Sequence, residues 1–153
     1  MGKMSTKYRV VNTLIMNIPI CLAMVIAAQM LGVGYLRLIA SIINFILAYA
    51  VSFFIGMYAP LVPWGLGFAG KCGAKPGTLP FGLLVNVVVN TGYVLVNSML
   101  LTWFNVILMG GAPMAAFLPE VLGKFVPIWV IGYIVSFLWN TPAEKIAHNL
   151  TGE

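Results

Sequence analysis

Amide and phenol side chains recur along one face of an apolar segment in the second half of the chain. Asn86, Asn90, Tyr93 and Asn97 stand at i, i+4, i+7 and i+11, which places them on one stripe of a helix. An uncharged stripe can hydrogen-bond a small neutral or weakly polar solute, or it can hydrogen-bond neighbouring helices. Three amides and a phenol exceed what one helix contact requires, so we consider this stripe a candidate solute path.

The other apolar segments add polar residues that belong to the same candidate path: Asn17, Ser52, Tyr133, Ser136 and Asn140. Amides are costly against lipid, so these faces point toward one another or toward a wet cavity. The alternative is that they join helices, where such hydrogen bonds contribute about 0.6 kcal/mol on average. Both interpretations stay open.

Ionisable chemistry is sparse. Glu120 and Lys124 are four residues apart and predict a helical ion pair, which is either structural or an outer gate. No ionisable residue lies in the middle of an apolar segment, which disfavours proton coupling. His148 has no second His and no suitable Cys near it in the sequence, so we expect no metal site and no cofactor. Without a general acid–base pair in the apolar segments, an enzyme is poorly supported.

Composition shows what kind of elements must position these residues. The 153-residue chain is 61% hydrophobic and 7% charged, with mean hydropathy +1.03. A soluble domain carries about 25% charged residues, which excludes the soluble classes. Four apolar stretches are long enough to span a bilayer, at about 10–31, 36–59, 81–109 and 118–139. We expect an all-α integral membrane protein with four transmembrane helices.

Basic residues predict the orientation. Six of the eight Lys and Arg lie in the N-terminal segment, the central Gly/Pro-rich loop and the tail, whereas Arg37 and Lys124 lie on the other side. The positive-inside rule therefore places both termini and the central loop in the cytoplasm, in the cell (inner) membrane. The net charge of +5 is explained by these flanks. No basic stripe with interleaved aromatics is present, so nucleic acid is not an expected partner.

The two halves of the sequence resemble each other. The run 17–31 aligns with 86–100, and the run 48–54 aligns with 132–138, in the same order. This pattern predicts two similar helical hairpins, at about 10–60 and 81–140, joined by a cytoplasmic loop at 61–80 and followed by a tail at 141–153. Because each hairpin crosses twice, the repeat is parallel, unlike the inverted repeats of many transporters.

Each hairpin opens with an Asn and carries a Val-Ser-Phe run in its second helix. The second ends in Thr141-Pro142-Ala143-Glu144-Lys145-Ile146-Ala147, and the first has Ala59-Pro60 at a similar place. This unit resembles a bacterial membrane family catalogued as a domain of unknown function, with about two spans per copy and sometimes duplicated. The resemblance implies the duplicated-hairpin fold. Because the family has no assigned activity, it implies no catalytic residues.

Two functions from different classes remain. The first is a permease or channel-like protein whose Asn-lined faces conduct a small solute. The second is a non-catalytic accessory or scaffold protein whose polar residues pack helices. Four short helices bury limited area, which leaves room for a homodimer, with a cavity between the two halves or at the dimer seam. The lipid bilayer is the one partner that composition dictates.

Overall fold

The computed structural model describes residues 5–152, and every regular element in that range is helical. The helices are α1 (Thr6–Val33), α2 (Leu38–Tyr58), α3 (Leu61–Lys71), α4 (Leu79–Thr102) and α5 (Phe117–Thr151). A π-helical segment, Trp103–Leu108, continues α4, and a short 3-10 turn, Met114–Ala116, precedes α5. Four helical stretches are long and apolar enough to cross a membrane: Thr6–Val33, Leu38–Tyr58, Leu79–Leu108 and Met114–Thr151. The predicted all-α class with four long apolar helices is confirmed.

Local sequence fixes the ends of α1. The Ser5 hydroxyl accepts a hydrogen bond from the Tyr8 amide at 3.1 Å, which satisfies one of the free donors of the first turn. Gly34 ends the helix in a left-handed conformation (φ +78°) that favours glycine, and its amide donates to the Met30 carbonyl. The chain then turns directly into α2.

The segment predicted as a Gly/Pro-rich loop contains a helix. In α3, Leu61, Gly65 and Ala69 are buried at i, i+4 and i+8 and pack along α4. A Cβ on Gly65 would lie 2.8 Å from the Val85 carbonyl oxygen, so glycine permits this close approach. After the break at Pro60, α3 therefore continues along α4. Glycine and proline have low helix propensity, and here tertiary packing overrides it.

The last helix is longer than the sequence predicts. It continues through Pro142 to Thr151, so the segment expected as a tail belongs to α5. Ala143 and Ala147 in this extension are both fully buried. The final turns pack beside the start of α1, where the rings of Tyr8 and His148 have centroids 4.7 Å apart. This end of the bundle therefore holds both ends of the described chain.

The interior has two apolar clusters. One joins Ile20, Met24, Ala27, Val94 and Ile128, and the other joins Cys21, Val25, Ala48 and Leu101. Large apolar side chains also cover the outward faces, with Leu38 and Ile39 each 75% exposed. A surface of this kind suits a hydrocarbon environment, because soluble proteins avoid large contiguous apolar patches.

Candidate functional site

One group of the predicted path residues joins α4 to α5. The Asn86 amide donates to the Ser136 hydroxyl at 3.0 Å and to the Tyr133 carbonyl at 3.3 Å, and the Ser136 hydroxyl lies 3.1 Å from Asn86 Oδ1. The Tyr133 hydroxyl donates to the Leu83 carbonyl at 3.0 Å. These side chains use their polar atoms on neighbouring helices, which is the geometry of helix packing.

A second group joins three helices at the centre of the bundle. The Asn97 amide donates to the Ser52 hydroxyl at 2.8 Å and to the Tyr93 carbonyl at 2.9 Å. The Cys21 thiol donates to the same Ser52 hydroxyl at 3.4 Å. Tyr93 Oη would lie 2.7 Å from a Cβ on Gly56, so this glycine makes room for the phenol. The group connects α1, α2 and α4.

Three of the predicted amides keep a buried atom without a partner. These atoms are Asn17 Nδ2, Asn90 Oδ1 and Asn97 Oδ1, and their residues are at most 2% exposed. The Asn90 amide nitrogen donates to the Trp129 carbonyl at 3.0 Å, while its oxygen faces Gly132. A buried polar atom without a hydrogen bond costs about 1–3 kcal/mol, so each of these positions is held at a cost in stability.

Asn140 lies elsewhere. It is exposed on α5, and its amide donates to Glu144 Oε1 at 3.1 Å, one helical turn further on. Among the nine predicted path residues, Ser52, Asn86, Tyr133 and Ser136 hydrogen-bond between helices, as the amide nitrogens of Asn90 and Asn97 also do. Asn17, Asn90 and Asn97 keep an unpaired buried atom, Tyr93 places its phenol beside Gly56, and Asn140 is a surface residue.

A cavity of about 560 Å³ opens at the end of the bundle opposite Tyr8 and His148. We call it the distal cavity; it lies between the last turns of α1, the start of α2, the π-helical end of α4 and the start of α5. Its polar lining comprises Gln29, Arg37, Asn44, Ser98, Thr102, Asn105, Glu120 and Lys124. Both predicted gate residues, Glu120 and Lys124, line it. None of the nine predicted path residues does.

An amide pair forms part of the cavity wall. The Asn44 and Asn105 side chains each donate to the other's Oδ1, at 3.1 and 3.0 Å, and so bind α2 to the end of α4. Asn105 lies in the π-helical segment, as do the lining residues Phe104 and Val106. π-Helical turns are rare and occur frequently at functional sites, because they redirect side chains that a regular helix would place elsewhere.

Two polar groups of the wall have unmet hydrogen-bonding capacity. Gln29 Oε1 accepts from the Arg37 backbone amide at 2.8 Å, but Gln29 Nε2 is buried without a partner. Ser98 Oγ is likewise buried and unpaired. The two residues are 8% and 6% exposed. Both residues line the cavity, and because buried polar groups are normally hydrogen-bonded, these two atoms are held there at a cost in stability.

The charged groups of the wall give it a positive balance. Lys124 Nζ lies 2.8 Å from Glu120 Oε2, and it would be 3.5 Å from a Cβ on Gly32, which places the ammonium beside the last turns of α1. Within residues 5–152, no carboxylate lies at ion-pair distance from Arg37. Two cations and one anion thus surround the cavity.

Apolar packing closes the inner end of the cavity. Met24 and Ile128 line it and belong to the buried cluster that also contains Ile20, Ala27 and Val94. Val94 lies on α4 between Asn90 and Asn97 and is fully buried. In this conformation the apolar cluster therefore separates the cavity from Asn90.

Sequence reasoning missed Gln29, Asn44 and Asn105. Asn44 interrupts the run Ile42-Ile43-Asn44-Phe45-Ile46, where an amide is as costly against lipid as those of the α4 stripe. The same argument applied to every isolated amide would have found it. For Asn105 the sequence has no comparable signal, because the direction of its side chain depends on the π-helical turn.

In the part of the chain that the structure describes, no three His, Cys, Asp or Glu side chains come together to hold a metal ion. Comparisons with protein-family models, with curated proteins and with solved structures find no match. The resemblance to a duplicated two-span family therefore stays a prediction.

Proposed function

We propose that this chain is an integral membrane protein of the permease or channel-like type, which binds a small solute in the distal cavity. The observation that carries the proposal is a cavity with unsatisfied buried polar groups, Gln29 Nε2 and Ser98 Oγ, on its wall. Its volume, about 560 Å³, lies within the range of about 300–1,000 Å³ typical of small-molecule sites. Its lining is mainly apolar with a few polar groups, as such sites require.

The solute path continues inward along the amides that keep an unpaired atom. Asn97 follows Ser98 of the cavity wall, and Asn90 lies two turns deeper on the same face of α4. Because the apolar cluster closes the cavity, passage requires that Val94, Met24 and Ile128 separate. Asn86, whose nitrogen and oxygen are both bonded to α5, serves packing in this proposal.

The membrane position follows from basic residues. Lys7, Arg9, Lys71, Lys75 and Lys145 belong to the end of the bundle that holds both termini, which the positive-inside rule assigns to the cytoplasm. The distal cavity then faces the opposite side of the cell (inner) membrane. The proposal includes a homodimer, in which apolar outward faces of two copies would pack against each other.

The bundle is built, in this proposal, from two duplicated hairpins. The Tyr49 hydroxyl donates to the Leu14 carbonyl at 2.8 Å, and Tyr133 donates to Leu83 at 3.0 Å. Leu14 and Leu83 are equivalent when the alignment of 17–31 with 86–100 is extended by three residues, and the two tyrosines are equivalent in the aligned runs 48–54 and 132–138. Each tyrosine also stacks on the aromatic ring four residues before it, at 5.6 Å for Phe45 and 5.1 Å for Trp129.

Further equivalent contacts support the duplication. Ala48 packs in one cluster with Cys21 and Val25, and the equivalent Gly132 faces Asn90 and Val94. The second helix of each hairpin crosses onto the first helix of the other: α5 packs on α1, and the broken pair α2–α3 packs on α4. This arrangement is what a twofold axis along the bundle would produce.

The scaffold alternative also has a specific observation in its favour. The Asn86–Ser136 and Asn97–Ser52 contacts are satisfied between helices and need no solute to explain them. In that case, the cavity would hold only water or lipid, and the protein would act by holding a partner in the membrane.

A ligand-dependent thermal-stability screen on the full chain in detergent tests the proposal, with ions, amines, organic acids and lipophilic compounds. We expect a stabilising ligand whose effect is lost in Ser98→Leu, which fills the cavity, and kept in Asn140→Leu, which changes an exposed amide. In liposomes, Asn90→Leu and Asn97→Leu should abolish flux while the protein still inserts. No stabilising compound, together with unchanged flux in both variants, would favour the scaffold.

A further inference from the structure

We infer that the distal cavity is built for a small monoanion with an apolar body, of which an aliphatic or aromatic carboxylate is the simplest example. The inference rests on the proposed solute-binding function and names the chemical class of the solute. It depends on three features of the wall: its charge, its unpaired donors and its apolar area.

The charge balance favours an anion. Arg37 and Lys124 contribute two positive charges, and Glu120 contributes one negative charge. The Glu120 carboxylate is already engaged by Lys124 at 2.8 Å, so Arg37 remains as the cation without a carboxylate beside it in the described chain. A monoanionic ligand makes the occupied cavity neutral, whereas a cation would raise its charge to two. Charges in a partly closed site are screened less than on an open surface.

Backbone donors add to this preference at the start of α2. Arg37 is the residue before the helix, and it makes no side-chain hydrogen bond to the first turn. The amides of that turn have no partners within the helix, and the N-terminal end of a helix dipole attracts negative charge. Arg37, just before this turn, and Ala40, within it, both line the cavity.

An independent observation places an unpaired donor beside these amides. Gln29 Oε1 accepts from the Arg37 amide at 2.8 Å, so its own amide group lies against the start of α2. Gln29 Nε2 is buried, has no partner, and can only donate. Because Nε2 is buried, a carboxylate oxygen satisfies it once the Gln29 side chain turns toward the cavity that the residue lines. Arg37 and Gln29 thus lie together on the part of the cavity wall that adjoins the start of α2.

The rest of the wall suits an apolar body rather than an inorganic ion. Met24, Val25, Leu101 and Ile128, which are buried, line the inner part of the cavity, and Phe104 adds an apolar ring to the wall. A hydrated inorganic ion would offer these side chains only water and no apolar surface to pack against. A carboxylate whose apolar part faces this cluster uses both regions, because burying apolar area contributes about 25 cal/mol per Å².

The Lys124–Glu120 ion pair predicts the direction in which charge-removing variants change the affinity for an anion. An incoming carboxylate competes with Glu120 for the Lys124 ammonium, so Glu120 weakens binding of an anion even though it lies in the site. Removing the charge of Glu120 should therefore strengthen binding, and removing the charge of Arg37 should weaken it. A site for a neutral solute would respond weakly to both changes, and a cation site would respond in the opposite sense.

The test measures binding of hexanoate and benzoate to the full chain in uncharged detergent, by calorimetry and thermal shift, with hexanamide, benzamide and hexylamine as matched neutral and cationic compounds. We expect the carboxylates to bind at least about tenfold more tightly than their amides, the value of one charged hydrogen bond. Arg37→Gln should lose about tenfold in carboxylate affinity, and Glu120→Gln should gain several-fold. Asn140→Leu is the control and should bind like the wild type. Affinity for the carboxylates should also fall as salt is raised.

The outcomes separate this inference from the proposed function. Binding of the amides or of hexylamine as tight as that of the carboxylates, with no loss in Arg37→Gln, overturns the anion assignment but leaves solute binding standing. Absence of carboxylate binding in both assays also overturns the anion assignment, and the solute site itself is overturned only if the wider ligand screen finds no stabilising compound. Nanodiscs with and without phosphatidylglycerol distinguish a lipid source. If only the anionic lipid stabilises the protein, through Arg37, the site holds a lipid headgroup, and the soluble carboxylate is refuted.

Discussion

The Asn44–Asn105 pair offers the sharpest test of how the cavity wall is held. Two reciprocal hydrogen bonds, at 3.1 and 3.0 Å, join α2 to the π-helical end of α4. Hydrogen bonds between membrane helices average about 0.6 kcal/mol, so the pair contributes about 1.2 kcal/mol. Replacing either Asn by Leu, of similar size, removes both bonds. Asn105→Leu leaves the nitrogen and the oxygen of the Asn44 amide unpaired, whereas Asn44→Leu leaves only Asn105 Oδ1, because Asn105 Nδ2 also donates to the Leu101 carbonyl at 2.8 Å.

Each single variant should therefore lose about 2 kcal/mol or more of unfolding free energy, because an unsatisfied buried group adds about 1–3 kcal/mol. The double variant Asn44→Leu/Asn105→Leu leaves no orphaned amide, so it should cost less than the sum of the singles. We expect a coupling free energy of at least about 1.2 kcal/mol.

The assay is equilibrium unfolding in mixed micelles, followed by circular dichroism, for the wild type, both singles and the double. Asn140→Leu serves as the control, since this exposed amide should change stability by less than about 0.5 kcal/mol. Additivity of the two single changes within about 0.3 kcal/mol would show that the amides are not energetically paired, and would refute this account of the wall.

Three further predictions concern packing. Gly65→Ala should lower the unfolding free energy by about 1–3 kcal/mol, because its Cβ would meet the Val85 carbonyl at 2.8 Å. Gly67→Ala, with nothing within 4 Å of its Cβ, should be neutral or stabilising, and equal melting temperatures of the two variants would contradict the α3–α4 contact. Tyr49→Phe and Tyr133→Phe should each cost about 0.6 kcal/mol in chemical unfolding, and a difference between them above about 1 kcal/mol would argue against equivalent hairpins. Asn86→Leu should reduce thermal stability, because the Asn86 amide is bonded to α5, but it should leave solute affinity within about twofold of the wild type by calorimetry. Loss of solute binding in this variant would return Asn86 to the solute path.

The helices and their apolar character could be predicted from the sequence because membrane-length apolar runs allow few alternatives. The presence of α3 and the full length of α5 could not be predicted. Pro60, Gly65 and Pro142 are residues that end or weaken helices locally, and only packing on a neighbouring helix compensates for them. Such packing depends on residues far apart in the sequence, such as Val85 for Gly65.

The candidate site was predictable only at its charged rim. The spacing of Glu120 and Lys124 predicts their ion pair, which the structure forms at 2.8 Å. Periodicity correctly places Asn86, Asn90 and Asn97 on one inward face of α4, but it cannot tell which amides meet a partner. Whether an amide finds a partner depends on the neighbouring helix. Ser136 on α5 satisfies Asn86, whereas Asn90 Oδ1 lies beside Gly132 and has no hydrogen-bond partner.

The π-helical end of α4 has a consequence for how such a protein could acquire a function. On the proposed duplication, α1 corresponds to α4 as far as Thr102, and α1 ends at Val33 where α4 continues into the π-helical segment. Phe104, Asn105 and Val106 of the cavity wall therefore belong to the part that only the second copy has. Two identical copies would have offered two identical ends. Lengthening one of them makes the two ends differ, so selection could shape a site there while the shared parts of both copies continued to maintain the bundle.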